Sequence, residues 1–485
     1  IAQSYSQVLL KLERPETALE VAVAAAEALR NRGFTSSPQM APLLESIANL
    51  SLAQGKTEQA LSYLELSRSA ELVGAVKLSS IGHGNPTTQS LLRELDQLKL
   101  RLEGLQTEVA RADQEARRSG VSKVLADTRE EFFSKIDHLK RQEPDFEALV
   151  QLSGSSLSAI QNSLPTDTAL VEFFPSDKTL YLFIVSKDDL VLREVLVGRN
   201  QLARHIEHHL RLVREPESEP KALGESSQLL HSLVVEPALA DLRGKGRLRL
   251  VPSGPLWKVP FEELRDAQGV SLDQRFEVSM LTSADLLRTL TGSSGASGGR
   301  VVLFGAPDAQ ELPGAQAELR SLSHALPGSV LIEGRRANAA ALRSSAEKAD
   351  ILHIAGHSGA GEKPGECYIE LSDGPYPLEK IYGLSLARGA LVVLSSCRSA
   401  RGEEAPGREV TSLASAFNIA GASTVIASHW EVDDEVTREL FESFYRHLAQ
   451  GRPRGEALRL ARRETARQHP HPYYWAAFSL YGNPR

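Results

Sequence analysis

The chain has 485 residues, 41% hydrophobic and 24% charged, the make-up of an ordinary folded protein too long for one core. Its formal charge of −7 gives no general pull toward nucleic acid or anionic membrane, and no apolar run reaches the roughly 18 to 20 residues that span a bilayer. Two cysteines, Cys367 and Cys397, exclude a disulfide framework and fit a reducing, cytoplasmic compartment. The sequence opens on Ile1, so a targeting segment ahead of it is not legible.

Residues 1 to 80 read as helices, because Ala, Leu, Glu and Gln recur at three- and four-residue spacing with few β-branched residues. "PETALEVAVAAAE" (15–27) echoes "TEQALSYLELSRSAE" (57–71), placing Ala18-Leu19 on Ala60-Leu61 at an offset of 42 residues. A small residue where two helices meet, then an apolar face, is the pattern of tetratricopeptide-like (TPR-like) hairpin repeats; a period above the usual ~34 implies longer helices. A non-repetitive helical bundle is the alternative. Residues 81 to 150 read as a helical, coiled-coil connector. Leu91, Leu95, Leu98, Leu102, Leu105 and Val109 step by four and three, and a partner within 121–150 is favoured over a self-dimer.

From residue 166 the period changes. "TALVEFFPSDKTLYLFIVSKDDLVLREVLV" predicts a three-stranded meander broken at "PSDK" and "SKDD". Helical patterns follow over 199–242, then "RLRLVPSGPLWKVPFEEL" predicts a short strand turning into a helix. These belong to an α/β lobe over 151–290, closed by the flexible linker "TGSSGASGG" (291–299). The last lobe, 300–485, carries strand-like runs at 300–307, 329–334, 350–357, 390–397 and 423–428. Helical patterns at 314–326, 338–347, 408–421 and 433–449 lie between most of them. Apolar strands alternating with helices predict a parallel sheet covered on both faces, with chemistry at the carboxyl ends of its strands.

Two reactive residues sit at such ends. In "ILHIAGHSGAGE" (351–362), His353 lies within the strand and His357 after it, and Cys397 terminates "LVVLSS". HIAGH is not the helical HExxH metal pair, since Ala355 and Gly356 stand where a glutamate-bearing turn would be. His353 is expected to be a buried strand residue and His357 a base. Imidazole is the usual activator of a mostly protonated thiol, and adjacent strands would bring the two ends together. Backbone amides at the Gly356 and Gly359 turn could hold an oxyanion. A cysteine at a strand end is also often inert packing. "RHIEHHL", with His205, His208 and His209, predicts a solvated helix rather than a metal site, and no GxxxxGK[ST] loop or paired CxxC occurs. No metal or cofactor is expected.

"DILHIAGHS", "LVVLSSCRSA", "LASAFNIAGASTVIASHWEVDDEVTRELFESFYRHLAQG" and "HPYYWAAFSLYGNP", with "LVPSGPLWKVPFEEL" and "LPGAQAELRSL", resemble the CHAT family over about residues 166–485. These are caspase-like cysteine peptidases, commonly fused to TPR repeats and distantly similar to separase. The resemblance implies an active caspase-like lobe (300–485) beside a degenerate pseudo-peptidase lobe (151–290), together a parallel-sheet sandwich. It assigns His357 as general base, Cys397 as nucleophile, and backbone amides near Gly359 and Cys397 as the oxyanion hole. Arg398 departs from the Glu, Gln or Asn that often follows the family's cysteine. "HWEVDDE" (429–435) resembles the Trp-x-Val-x-Asp stretch of separases, which implies that Asp434, or its neighbour Asp433, lines a pocket for a basic residue with Trp430 as a wall. Helix capping is the alternative role for both acids.

A cysteine endopeptidase is therefore expected, acting on a partner protein after a basic residue and regulated by a protein or ligand at the TPR-like region. The resemblance points to bacterial defence or regulated cell death, with gasdermin-like pore formers among the targets. No nucleic-acid or membrane partner is expected. The alternatives are a catalytically silent interaction scaffold and an acyl hydrolase with the same dyad. Arg398, Arg401 and Arg408 in the loop 398–410 raise self-cleavage as a hypothesis, against an ordinary surface loop.

Overall fold

The computed structural model describes residues 15–31, 40–75, scattered helical positions between 90 and 135, 156–284, 286–287, 299–305, 312–360, 367–387, 389–396 and 413–485. The predicted meander is present as β1 (Thr168–Pro175), β2 (Leu180–Val185) and β3 (Leu190–Val195), paired antiparallel in turn. After the helices Arg199–Arg214 and Pro220–Val234 come β4 (Arg247–Val251) and β5 (Glu277–Met280). Between them "SGPLWKVPFEEL" forms two short 3-10 turns, not the predicted helix: Pro255 and Pro260 lack backbone donors.

The second half supplies β6 (Val301–Gly305), β7 (Val330–Glu333) and β8 (Ile351–Gly356), then a small antiparallel sheet of β9 (Ser358–Ala360), β10 (Cys367–Leu371) and β11 (Gly374–Pro377). β12 (Leu391–Ser396), β13 (Thr424–Ser428) and β14 (Phe478–Gly482) complete it. Among the described residues, eleven strands form one continuous sheet in the order β3-β2-β1-β4-β5-β14-β13-β12-β8-β6-β7. The expected parallel-sheet sandwich of two lobes is thus a single mixed sheet, parallel in most of its pairs. β14 runs antiparallel to β13 and parallel to β5, so it pairs two strands that would otherwise be exposed edges.

That topology orients the molecule. β1, β4, β5 and β14 point one way, and β13, β12, β8, β6 and β7 point the other. The carboxyl ends of β8, β12 and β13 therefore lie on the same edge as the amino ends of β14 and β5. β8 and β12 are buried along most of their length, which is why they read as continuous apolar runs.

The helices Pro15–Asn31, Met40–Ala53 and Thr57–Ala75 fill the amino-terminal part. Ala18, Leu19, Ala60 and Leu61, the aligned positions of the echo, are all buried. The third helix sits on the sheet: Ala60, Leu61 and Leu64 share a core with Leu170, Phe174 and Phe183 of β1 and β2. Arg68 fixes the contact, lying 2.5 Å from the buried Glu172 carboxylate and donating to the Phe173 carbonyl at 3.1 Å. In the connector, Leu91, Leu95 and Leu98 are buried, and Lys135 Nζ lies 2.6 Å from Glu94 Oε2, so the two segments meet within one chain. Leu102 and Val109 lie outside the described residues. Among the described residues, no helix is long and apolar enough to cross a membrane.

Candidate active site

β8 and β12 are parallel neighbours in a register that pairs Ser396 with Gly356. Adjacent strands lie about 4.8 Å apart, so Gly356 and Ser396, the last residues of the two strands, sit side by side. The next residue after Gly356 is His357. It is exposed, and it joins the large sheet to the small one, its carbonyl accepting the Glu370 amide at 2.9 Å. The next residue after Ser396 is Cys397. It lies outside the described residues, as does the loop with Arg398, Arg401 and Arg408. The other thiol, Cys367, pairs with Ala360 at the far end of the small sheet. That is three residues along β10 from Glu370, or roughly 10 Å at strand spacing.

Gly359 follows His357 by two and pairs with Tyr368. A Cβ at Gly359 would come within 2.4 Å of the Tyr368 ring, so only glycine lets the ring close over this turn. The small sheet is not among the predicted strands, although "CYIELSDGPYP" carries a hairpin signal: a β-rich run, then Asp373-Gly374, with Gly374 at φ 109°.

His353 has a different fate from His357, as expected. It is fully buried, with Nε2 2.8 Å from Glu318 Oε1, Nδ1 3.0 Å from the Tyr445 hydroxyl, and the Phe441 ring edge-on at 5.1 Å. The other oxygen of Glu318 accepts from Ser395 at 2.8 Å. One carboxylate on the Pro313–Ala325 helix thus ties β8, three residues before its end, to β12, one residue before its end. Burial, and then the charge of Glu318, push the Tyr445 hydroxyl well above its ordinary value, keeping it a neutral hydrogen-bonding group. Glu318 and Tyr445 had escaped notice because a charged residue on an amphipathic helix ordinarily faces water.

At the end of β13 the two neighbouring acids part ways. Asp433 caps the Asp434–Ala449 helix, its carboxylate accepting the Glu435 and Val436 amides at 3.0 and 3.1 Å. Asp434 lies over Gly314, where a Cβ would overlap its carboxylate. Partial desolvation, then the charges of Asp433, Glu318 and Glu431, raise its pKa above the ordinary aspartate value. Trp430 is buried, with its indole N–H donating to the Tyr473 carbonyl at 3.0 Å. Of the "RHIEHHL" histidines, His209 is fully buried rather than solvated.

The CHAT domain family model matches residues 224–483, more than half of the chain. The chain belongs to the CHAT domain family. The fold of this CHAT protein is similar to that of a chain in the 3.0 Å crystal structure of the Saccharomyces cerevisiae separase–securin complex, with a TM-score of 0.60 at 10% identity over 96% of its length. It covers only 37% of that separase-complex chain. A 2.6 Å structure of the same complex aligns with a TM-score of 0.47 at 11% identity, over 98% of this chain and 38% of that one. No curated protein matches the sequence. Family and fold together support a caspase-like protease family.

Proposed function

We propose that this CHAT protein is a cysteine endopeptidase in which His357 takes the proton of Cys397 and the thiolate attacks the scissile carbonyl. The observation that carries this reading is the β8–β12 register, which aligns Gly356 with Ser396, the residues immediately before His357 and Cys397. The exposed imidazole then protonates the leaving amine, and water releases the acyl group from sulfur with His357 again as base. Backbone amides near Gly359 and Cys397 stabilise the oxyanion; the Tyr368 ring over Gly359 supports a fixed turn there.

The substrate is a protein cut after Lys or Arg. Asp433 is occupied as a cap, which leaves Asp434, a carboxylate raised by partial desolvation and then by neighbouring negative charge, as the group that gains most from a cationic side chain. Trp430 backs this region from the core. The amino-terminal TPR-like helices, anchored on β1 through Arg68, serve as the docking part for a regulatory partner. The similar separase chain was solved in complex with securin, which is consistent with control by a bound protein. A bacterial defence role with a gasdermin-like target rests on the family resemblance alone.

A fluorogenic peptide panel with Arg, Lys, Asp or Leu before the cleaved bond tests the reading. Turnover confined to Arg and Lys, and lost in Cys397→Ala, is expected. Turnover of none of these peptides by the wild type, with candidate partners added, would favour the silent scaffold.

A further inference from the structure

On the same edge of the sheet a cavity of about 530 Å³ opens between the Arg454–Gln468 helix and the segment leading into β5. Arg265, Arg462, Arg463 and Arg467 line it, with Asp273 the one carboxylate among its lining residues. Arg462 is fully committed. It donates to the Phe478 carbonyl at 3.1 and 2.8 Å, to Asp273 at 3.1 Å and to Glu262 at 2.9 Å. Arg462 thus shares its one positive charge between the Asp273 and Glu262 carboxylates, and Arg265, Arg463 and Arg467 leave the lining with a net positive charge. Arg463 gives one 3.3 Å bond to the Gln274 carbonyl. Arg265, Arg463 and Arg467 are each at least partly exposed, and none has a carboxylate within ion-pair distance among the described residues.

Three guanidiniums converging on one cavity repel one another unless an anion sits between them. Planar guanidinium forks match the oxygens of a phosphate group, and the volume is that of a small-molecule site. The cavity also straddles the two halves of the sheet. Arg265, Asp273 and Gln274 precede β5, whereas Arg463, Arg467 and Trp475 precede β14. β5 and β14 share a single register pair, Tyr481 with Met280, so the join between the halves is thin.

We propose that this cavity binds a phosphate-bearing small molecule that clamps the two halves of the sheet at the β5–β14 join. The test is calorimetric titration and thermal unfolding of the full chain with two probes, inorganic pyrophosphate and a nucleoside triphosphate. Saturable binding that weakens with salt and raises the melting temperature is expected. In Arg463→Ala/Arg467→Ala, binding falls at least about tenfold, since each charge-assisted bond is worth roughly a tenfold factor, while the unliganded melting temperature is kept. Arg265→Ala provides a second variant should the double one fail to fold. A triphosphate binding much more tightly than pyrophosphate identifies a nucleotide, and equal binding identifies free polyphosphate. Absence of saturable binding at millimolar probe, or unchanged affinity in every folded variant, overturns the proposal. So does tighter binding of a hexaglutamate peptide than of either probe, which would make the cavity a protein-docking site.

Discussion

The two halves of the sheet each hold a histidine beside serine and carboxylate groups, and they use it in opposite ways. In the first half, His209 Nε2 lies 2.6 Å from Glu263 Oε1 and Nδ1 lies 3.1 Å from Ser226 Oγ, while Ser227 Oγ donates to Glu263 Oε2 at 3.2 Å. This reads like a Ser-His-Glu relay, yet all four residues are buried and the contacts hold the Arg199–Arg214 and Pro220–Val234 helices to the turn after β4. In the second half, the Glu318–His353–Tyr445 network plays the same holding part, and His357, four residues further on, is left exposed where the strand gives way to a turn. Residue types alone do not separate a peg from a base. The exposed position of His357 at a strand end, with its backbone anchored, is what singles it out as the proposed base.

The largest expected effect tests that contrast directly. His357→Ala should lower Cys397-dependent peptide cleavage by at least about 10³-fold with little change in melting temperature. His209→Ala should do the reverse, costing about 3 to 5 kcal/mol in urea unfolding because Glu263 is left buried without its partner. A His209 variant that unfolds normally but loses turnover would break the comparison.

Next in size is Asp434→Asn, which should lower kcat/KM for Arg and Lys peptides by about 10- to 100-fold, the worth of one hydrogen bond between charged groups. The wild-type KM should rise as pH falls through an Asp434 pKa that partial desolvation and then neighbouring carboxylates raise above the ordinary aspartate value, because the cationic side chain needs the ionised form. The Asn variant should show no such rise. The same shift carries a stability sign. A carboxylate with a folded pKa above its unfolded one destabilises the fold increasingly as pH rises through that value, so Asp434→Asn should melt higher than wild type at neutral pH.

Glu318→Ala comes third. It leaves His353 Nε2 and the Ser395 hydroxyl without their shared carboxylate, and should cost about 2 to 4 kcal/mol of stability by removing hydrogen bonds to a charged group. It should also lower kcat more than it raises KM, because the ends of β8 and β12 lose their common tie. The smallest effect is expected from Gly359→Ala. A methyl 2.4 Å from the Tyr368 ring should cost about 1 to 3 kcal/mol as overpacking, partly restored in Gly359→Ala/Tyr368→Ala. Thermal unfolding of Gly359→Ala, Tyr368→Ala and the double variant checks the coupling.

Most strands and helices of the second half were legible because each apolar run of four to six residues is bounded by turn residues and carries its own period. "DILHIAGH" and "ALVVLSSC" became β8 and β12 almost as predicted, and the helix at 433–449 starts on its Asp433 cap. What depended on distant partners was not legible. β14 was not predicted, since a five-residue run does not announce that it will pair β13 on one side and β5 on the other. Glu262 and Glu263 of "PFEEL" are buried, Glu262 against Arg462, a partner 200 residues away that no local pattern announces. Glu318 likewise gains its meaning only from His353, 35 residues on, and Ser395, 77 residues on.

The central claim is that His357 activates Cys397 and not Cys367. Intact-mass and peptide-map analysis after incubation with an arginyl acyloxymethyl ketone tests it most directly. The account predicts a single adduct on Cys397, abolished in His357→Ala and retained in His209→Ala. Modification of Cys367 instead, or equal labelling of Cys397 in His357→Ala, would contradict it.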